Sequence, residues 1–219
     1  VKVTVLCSDA RHPVNHWLSA WAARQAATHD ISLLRAAREC PGGDILFLVS
    51  CTEIVRPEVR ALYRHAVVLH ASDLPAGRGW SPHVWDVVEG CTHLTLSMLA
   101  VADPFDTGDV WQKRRIALDG TELYDEINRK VFDAEIELMD WLLANADTTR
   151  PVPQSGTPSV RRRRTPEDSR VDPARSIEAQ FDLLRVCDPE RFPAFFDLRG
   201  ARYEIVLRKV GSPGDGEKP

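Results

Sequence analysis

VVLHASDLPAGRGWSPHVWDVVEG, residues 67–90, is the stretch on which the reading of this chain turns. It opens on a short apolar run at 67–69 that reads as a buried strand. At His70 it breaks into a loop carrying Ser72, Asp73, Pro75, Gly77, Gly79, Ser81 and Pro82. In an open α/β sheet, ligands sit at the carboxyl ends of the strands, so a titratable ring at that point is placed to meet a small molecule. Downstream, PFDTGDV at 104–110 sets Asp106 in a turn ahead of another apolar stretch, from which it can reach back to His70. The expected chemical centre is a His70–Asp106 pair.

Outward from this stretch, the chain alternates strand-like and helix-like patterns. Residues 1–7, VKVTVLC, form a β-branched run that ends at Ser8 and Asp9, as a first buried strand does. Over 14–29 the residues Trp17, Leu18, Trp21, Ala22 and Ala26 recur at helical spacing, so strand, loop and helix begin a βαβ unit. The loop between them, SDARHPVN, lacks the glycines of a dinucleotide or ATP cradle. Trp17 and Trp21 read as core. A short strand is expected at 31–34, and DILFLVS at 44–50, apolar nearly throughout, reads as a central parallel strand. A helix is expected over 54–63, with Pro57 near its start, before the strand 66–69 that delivers His70. Residues 82–89 read as a helix stopped by Gly90. Strands follow at 92–101 and 110–116, with Trp111 and Lys113 on opposite faces of the second, and a long amphipathic helix spans 121–144.

From 146 to 172 the composition turns to Pro, Ser, Thr and Arg with no apolar periodicity, which predicts a linker or extended arm outside the core. A helix over 173–186 and a hairpin pairing 194–198 with 201–209 across Arg199 and Gly200 come next, and 211–219 reads as a disordered tail. The expected class is therefore α/β. A first domain over 1–145 has a Rossmann-like, mainly parallel sheet, and a small C-terminal helix and β-hairpin extension occupies 173–210. That extension is too small to bury a core of its own, so it should pack on the first domain or on a second subunit, which allows a homodimer.

Composition narrows the function. The 219 residues carry a formal charge of −4, which argues against a dedicated nucleic-acid surface. The basic run Arg161–Arg164 reads either as a solvated run or as a contact for a phosphate-bearing substrate. Cys7, Cys40, Cys51, Cys91 and Cys187 are scattered without zinc or disulfide spacing. His83 and His93 match no compact ligand motif with His70 or Asp86, so no metal is expected. No apolar run approaches membrane-spanning length and no signal-peptide pattern is seen, so a soluble cytoplasmic protein is the simplest reading.

The run His70, Ser72, Leu74, Pro75, Gly79, Pro82 and Trp85, followed by Asp106 and Gly108, resembles the formyltransferases that use 10-formyltetrahydrofolate. The wording HASDLPAGRGWSP, with the tail RRTPEDS and EAQFDLLRVCDPERFPAFF, is similar to the branch that N-formylates amino sugars. The resemblance implies that His70 and Asp106 are catalytic and that Ser50, Cys51, Leu74 and Phe105 contact the folate. Ser72, Asp73, Trp80, Arg164, Thr165 and Asp168 are the candidates for the acceptor; the bland alternatives are that Ser72 satisfies its own loop, that Cys51 is a small buried hydrophobe, and that the arm docks structurally. In the family an Asn stands two residues before the His, or four in the nearby branch, and those positions are Val68 and Ala66 here. Another donor, weaker catalysis or a group from the substrate must answer for the missing amide.

Formyl transfer to an amine needs a donor for a negative oxygen, a carboxylate that relays protons and a dry site. By resemblance His70 supplies the first and Asp106 the second, with folate and a small amine as partners. Three rivals stand beside amino-sugar formylation. A methionyl-tRNA formyltransferase should carry a larger, basic C-terminal domain, a formyltetrahydrofolate hydrolase would use water, and a binding protein of the same fold would not turn over.

Overall fold

Residues 1–211 are described by the computed structural model, so nearly all of the expected tail, 212–219, lies outside the described residues. The first four strands are β1 (Lys2–Leu6), β2 (Asp30–Leu34), β3 (Gly43–Leu48) and β4 (Tyr63–His70). They pair in parallel, and β6 (His93–Ala100) and β7 (Val110–Ala117) complete the sheet antiparallel, in the order β2-β1-β3-β4-β6-β7. The result is a mainly parallel, Rossmann-like sheet. A two-residue ladder joins β5 (Arg78–Gly79) to β8 (Val160–Arg161) outside it.

The two faces of the sheet are covered unequally. On one face α1 (Asn15–Gln25) and α4 (Tyr124–Asn145) bury Val3, Val5, Val67, Leu69, Leu96 and Met98 against Leu18, Trp21, Val131 and Leu142. Trp21 is buried and gives its indole N–H to Asp140 at 2.7 Å, while Trp17 reaches Asp133 at 2.8 Å, so each ring packs apolar area and keeps its donor paired. On the other face only the four-residue α2 (Pro57–Arg60) and a turn of 3₁₀ helix stand over a smaller cluster around Leu46, Leu48, Val55 and Tyr63.

Several boundaries differ from the sequence reading. The helix expected over 54–63 is only Pro57–Arg60, because Tyr63 already belongs to β4, its hydroxyl donating to Thr4 Oγ1 at 2.9 Å and accepting from the Gly42 N–H at 3.2 Å. The helix expected over 173–186 shrinks to a 3₁₀ turn at Glu178–Gln180 and α5 (Phe181–Arg185). The buried Gln180 amide takes the Asp172 N–H at 2.7 Å and donates to its carbonyl at 3.0 Å, holding the preceding segment in a turn. Trp111 is buried and Lys113 exposed, which strict alternation along a strand would not give. A one-residue register shift between Met98 and Leu99 sets Trp111 in a bulge.

The C-terminal hairpin pairs β9 (Ala194–Leu198) with β10 (Ala201–Ile205), and Arg199 and Gly200, both at positive φ, close it in the way two-residue hairpin loops require. The extension is tied to the sheet domain by the buried Arg185, which bonds the Asp182 carboxylate at 2.7 Å and the Glu122 carbonyl at 3.2 Å. α3 (Pro82–Val88) fills the corner between this extension and the loop after β4.

Candidate functional site

β4 delivers His70 at its last residue, paired with Ser97 of β6. The chain then bends, the Ser72 N–H bonding the His70 carbonyl at 2.9 Å and Ser97 Oγ donating to the Ser72 carbonyl at 2.6 Å. The imidazole is buried, with Nε2 2.9 Å from the Gly77 carbonyl. A carbonyl only accepts, so Nε2 carries a proton there. Nδ1 then faces Asp106 Oδ1 at 3.6 Å, too long for a hydrogen bond but close enough for an ion pair whenever the ring carries a second proton.

Asp106 sits at φ 59°, a left-handed conformation that Asp tolerates better than most residues. Three contacts hold it. The Gly79 N–H donates to Oδ2 at 2.9 Å, and Gln154 Nε2 donates to the carbonyls of Asp106 and Gly108 at 2.8 and 2.9 Å. The glycine of the D-x-G motif has a steric reason, since a Cβ at Gly108 would lie 1.8 Å from the Ala100 carbonyl oxygen.

Gln154 comes from the arm, which runs directly against the loop after β4. The Arg78 N–H bonds the Ser159 carbonyl at 2.9 Å, the Trp80 N–H bonds the Arg161 carbonyl at 3.2 Å, and the Gly77 N–H bonds Ser159 Oγ at 2.9 Å. Gly79, at φ +101°, lies so close that a Cβ there would stand 2.3 Å from the Arg161 carbonyl. Arg161 itself is anchored on α3 by Asp86 at 3.0 Å and Glu89 at 2.5 Å. The sequence reading missed Gln154, Ser159 and Ser97, because single polar residues in an aperiodic segment or a strand carry no pattern that marks them.

Alternation along β4 puts Ala66 and Val68 on the same face as His70. Both pack, half-buried, with Cys51 and Val101 on the thinly covered side of the sheet. The wall next to His70 is therefore apolar and offers no side-chain amide at Val68 or Ala66. Ser50 turns the chain after β3 at φ 46°, and Cys51 gives its thiol to the Glu53 carbonyl at 3.6 Å; burial pushes that thiol up from its ordinary range. Phe105 is 61% exposed beside Asp106, while Leu74 is buried beneath the loop. A half-open apolar wall of this kind suits a flat, largely apolar ring.

The acceptor candidates divide. Ser72 is buried and its hydroxyl finds no partner among the described residues. Asp73 is exposed and bonded by Lys113 at 2.5 Å, and Lys113 also reaches the Leu74 carbonyl at 2.6 Å, pinning the loop to β7. Trp80 is 43% exposed. Thr165 and Asp168 close a reciprocal cap on a 3₁₀ turn, Arg162 pairs with the Asp168 carboxylate, and Arg164 donates to the Asp168 carbonyl at 2.9 Å. These three arm residues thus bond within the arm and fix its shape. His83 of α3 feels the charges of His70, His12 and Arg164, but burial is the main cause that pushes it down to about 4, so it is neutral at pH 7. Among the described residues no group of three or more His, Cys, Asp or Glu side chains is arranged to hold a metal.

Comparison with known proteins adds the context. A family model described as formyl transferase matches residues 4–142. A methionyl-tRNA formyltransferase of Lachnospira eligens is 25% identical over 149 residues, 62% of this chain and 47% of the relative. The chain spans about half the length of the curated relatives it matches. Among solved structures, methionyl-tRNA formyltransferase from Clostridium thermocellum superposes with a TM-score of 0.80 at 22% identity, covering 97% of this chain and 95% of that one. HypX from Aquifex aeolicus in complex with tetrahydrofolic acid gives 0.78 at 18%, covering 91% and 36%. A sugar N-formyltransferase from Shewanella sp gives 0.74 at 12%, covering 97% and 99%. At these identities the structural likeness is one of fold.

Proposed function

The chain belongs to the formyl transferase family, and on that premise we propose that it moves a formyl group from 10-formyltetrahydrofolate to the amine of a nucleotide-linked amino sugar. The observation that carries the reading is the facing of His70 Nδ1 and Asp106 Oδ1 at 3.6 Å beside an apolar wall. The folate-bound neighbour and the sugar N-formyltransferase of the same fold support the choice of donor and acceptor class.

The donor, when bound, supplies the formyl carbon. Val68, Val101, Cys51 and Phe105 are the residues that would hold its ring, with Ser50 and Leu74 shaping the turn and loop around it. With Nε2–H on the Gly77 carbonyl, Nδ1 is the ring nitrogen left toward the substrate, and it becomes a donor to a negative oxygen when the ring takes a second proton. Asp106, with Oδ2 held by the Gly79 N–H, supplies the countercharge to the ring and has Oδ1 to take the proton that the amine gives up as it bonds the formyl carbon, that proton passing to N10 of the folate as the bond from N10 to the formyl carbon breaks. Val68 keeps water from His70, where an amide would have been a second oxyanion donor. On the acceptor side, the exposed Asp73 and Trp80 stand at the loop and the rim, Ser72 lies buried behind them with its hydroxyl unbonded among the described residues, and Arg164, Thr165 and Asp168 fix the shape of the arm.

The test is to incubate the protein with 10-formyltetrahydrofolate and a panel of nucleotide-linked amino sugars, following tetrahydrofolate release and the formyl mass gain on the acceptor. Acceptor-dependent release is expected, lowered at least about 100-fold by Asp106→Asn. Asn tolerates the same left-handed backbone, so that variant isolates the charge. Release that needs no acceptor would replace transfer by hydrolysis, and no release would sink both.

A further inference from the structure

Four consecutive arginines cross the rim of the site, and three are bonded within the chain. Arg161 pairs with Asp86 and Glu89, Arg162 with Asp168, and Arg164 with the Asp168 carbonyl and Ser169 Oγ. The side chain of Arg163 has no hydrogen bond or carboxylate among the described residues. It lies instead over the ring of Trp80, 4.8 Å from its centre. Trp80 is one residue from the Gly79 N–H that bonds Asp106, and its own N–H is bonded to the Arg161 carbonyl. The stacked pair is thus fixed through the backbone on both sides and stands beside the chemical centre. A large aromatic ring left 43% exposed and an unpaired guanidinium together match a ligand with a flat ring and an anionic group.

We propose that Trp80 and Arg163 form the subsite for the nucleoside diphosphate portion of the acceptor, Arg163 bonding the phosphate and Trp80 presenting its face to the nucleoside. The proposal rests on the acceptor reading above and deepens it. Arg161, Arg162 and Arg164 act as the frame, since their intramolecular pairs keep the intervening residue directed at the rim. Phosphate bonding by a guanidinium is charge-assisted and can be bidentate, so its loss weakens binding more than an ordinary surface substitution does.

The experiment needs no formyl donor. The full chain is titrated calorimetrically with uridine diphosphate and with thymidine diphosphate, and separately with tetrahydrofolate triglutamate, whose carboxylates are the other source of anionic charge. Saturable binding of at least one nucleoside diphosphate is expected, weakened about tenfold or more by Arg163→Ala, partly restored in Arg163→Lys, and weakened by Trp80→Leu, with folate affinity unchanged in all three. Thermal melting checks that each variant is folded. Absence of saturable nucleotide binding, equal affinity in wild type and Arg163→Ala, or loss confined to the folate titration would each overturn the proposal. Because these readouts are equilibrium binding, they fail or succeed separately from the formyl-transfer assay.

Discussion

β4 reaches the site hydrogen-bonded along both edges, in parallel with β3 and antiparallel with β6, whereas the arm reaches it through a two-residue ladder, a single bridge between Val152 and Val110 and a few single side chains. The strand's geometry is shared among many backbone bonds, so His70 does not depend on any one of them. The arm depends on particular atoms: the Gln154 amide, Ser159 Oγ and the carbonyl of Arg161. Asp106 lies between the two, in the turn between β6 and β7, with Oδ2 bonded by the loop after β4 and its carbonyl bonded by the arm. Substitutions along β4 should therefore act through packing, and substitutions in the arm through the loss of one contact at a time.

The largest effect on stability is expected where the arm meets the loop after β4. Gly79→Ala places a Cβ against the Arg161 carbonyl in a backbone conformation that disfavours it. It should separate the arm from the loop, lower the melting temperature by roughly 10 °C and reduce formyl transfer more than tenfold. A melting temperature within experimental error of wild type would mean that the ladder is dispensable.

A smaller effect separates the sheet domain, through α4 packed on it, from the arm by pH. On α4, burial pushes the Glu135 carboxyl up to about 8, and its Oε2 has no hydrogen-bond partner among the described residues. In the arm, the bonds from Arg162 and Thr165 hold Asp168 far below the usual carboxylate range. Because the folded-state value of Glu135 is raised, its contribution is fully present below the unfolded value of 4.5 and is lost as the pH rises through about 8. The wild type should thus lose about 5 °C of melting temperature between pH 6 and pH 9, while Glu135→Gln should show a flatter profile. Asp168 stays ionised throughout this range, so the arm contributes no slope. Equal slopes in the two proteins would contradict the assignment.

This difference also explains what could be read without a structure. The strands β1, β3 and β4 announce themselves as continuous apolar runs, as strands covered on both faces do, and α4 by the helical period of its apolar stripe. His70, Asp106 and Gly108 were legible as a motif, and the Gly108 contact with the Ala100 carbonyl supplies the reason for its glycine. For 146–172 the sequence allowed either a linker or an extended arm, because the segment is held by single side chains and short backbone pairings to distant strands and loops, which leave no period in the chain. The same holds for the segment before α5, where the Gln180 amide replaces helical bonds. Trp111 shows the opposite limit, a position whose burial follows from a bulge that depends on two strands at once.

The central claim, that the arm acts on catalysis through Asp106, is tested most directly by a double-mutant cycle of Gln154→Ala and Asp106→Asn on the formyl-transfer rate. In the wild-type background Gln154→Ala leaves the carbonyls of Asp106 and Gly108 without their donor and should cost about tenfold. In the Asp106→Asn background it should cost less than about twofold, because the carboxylate that it positions is gone. A tenfold loss in both backgrounds, or none in either, would contradict the claim.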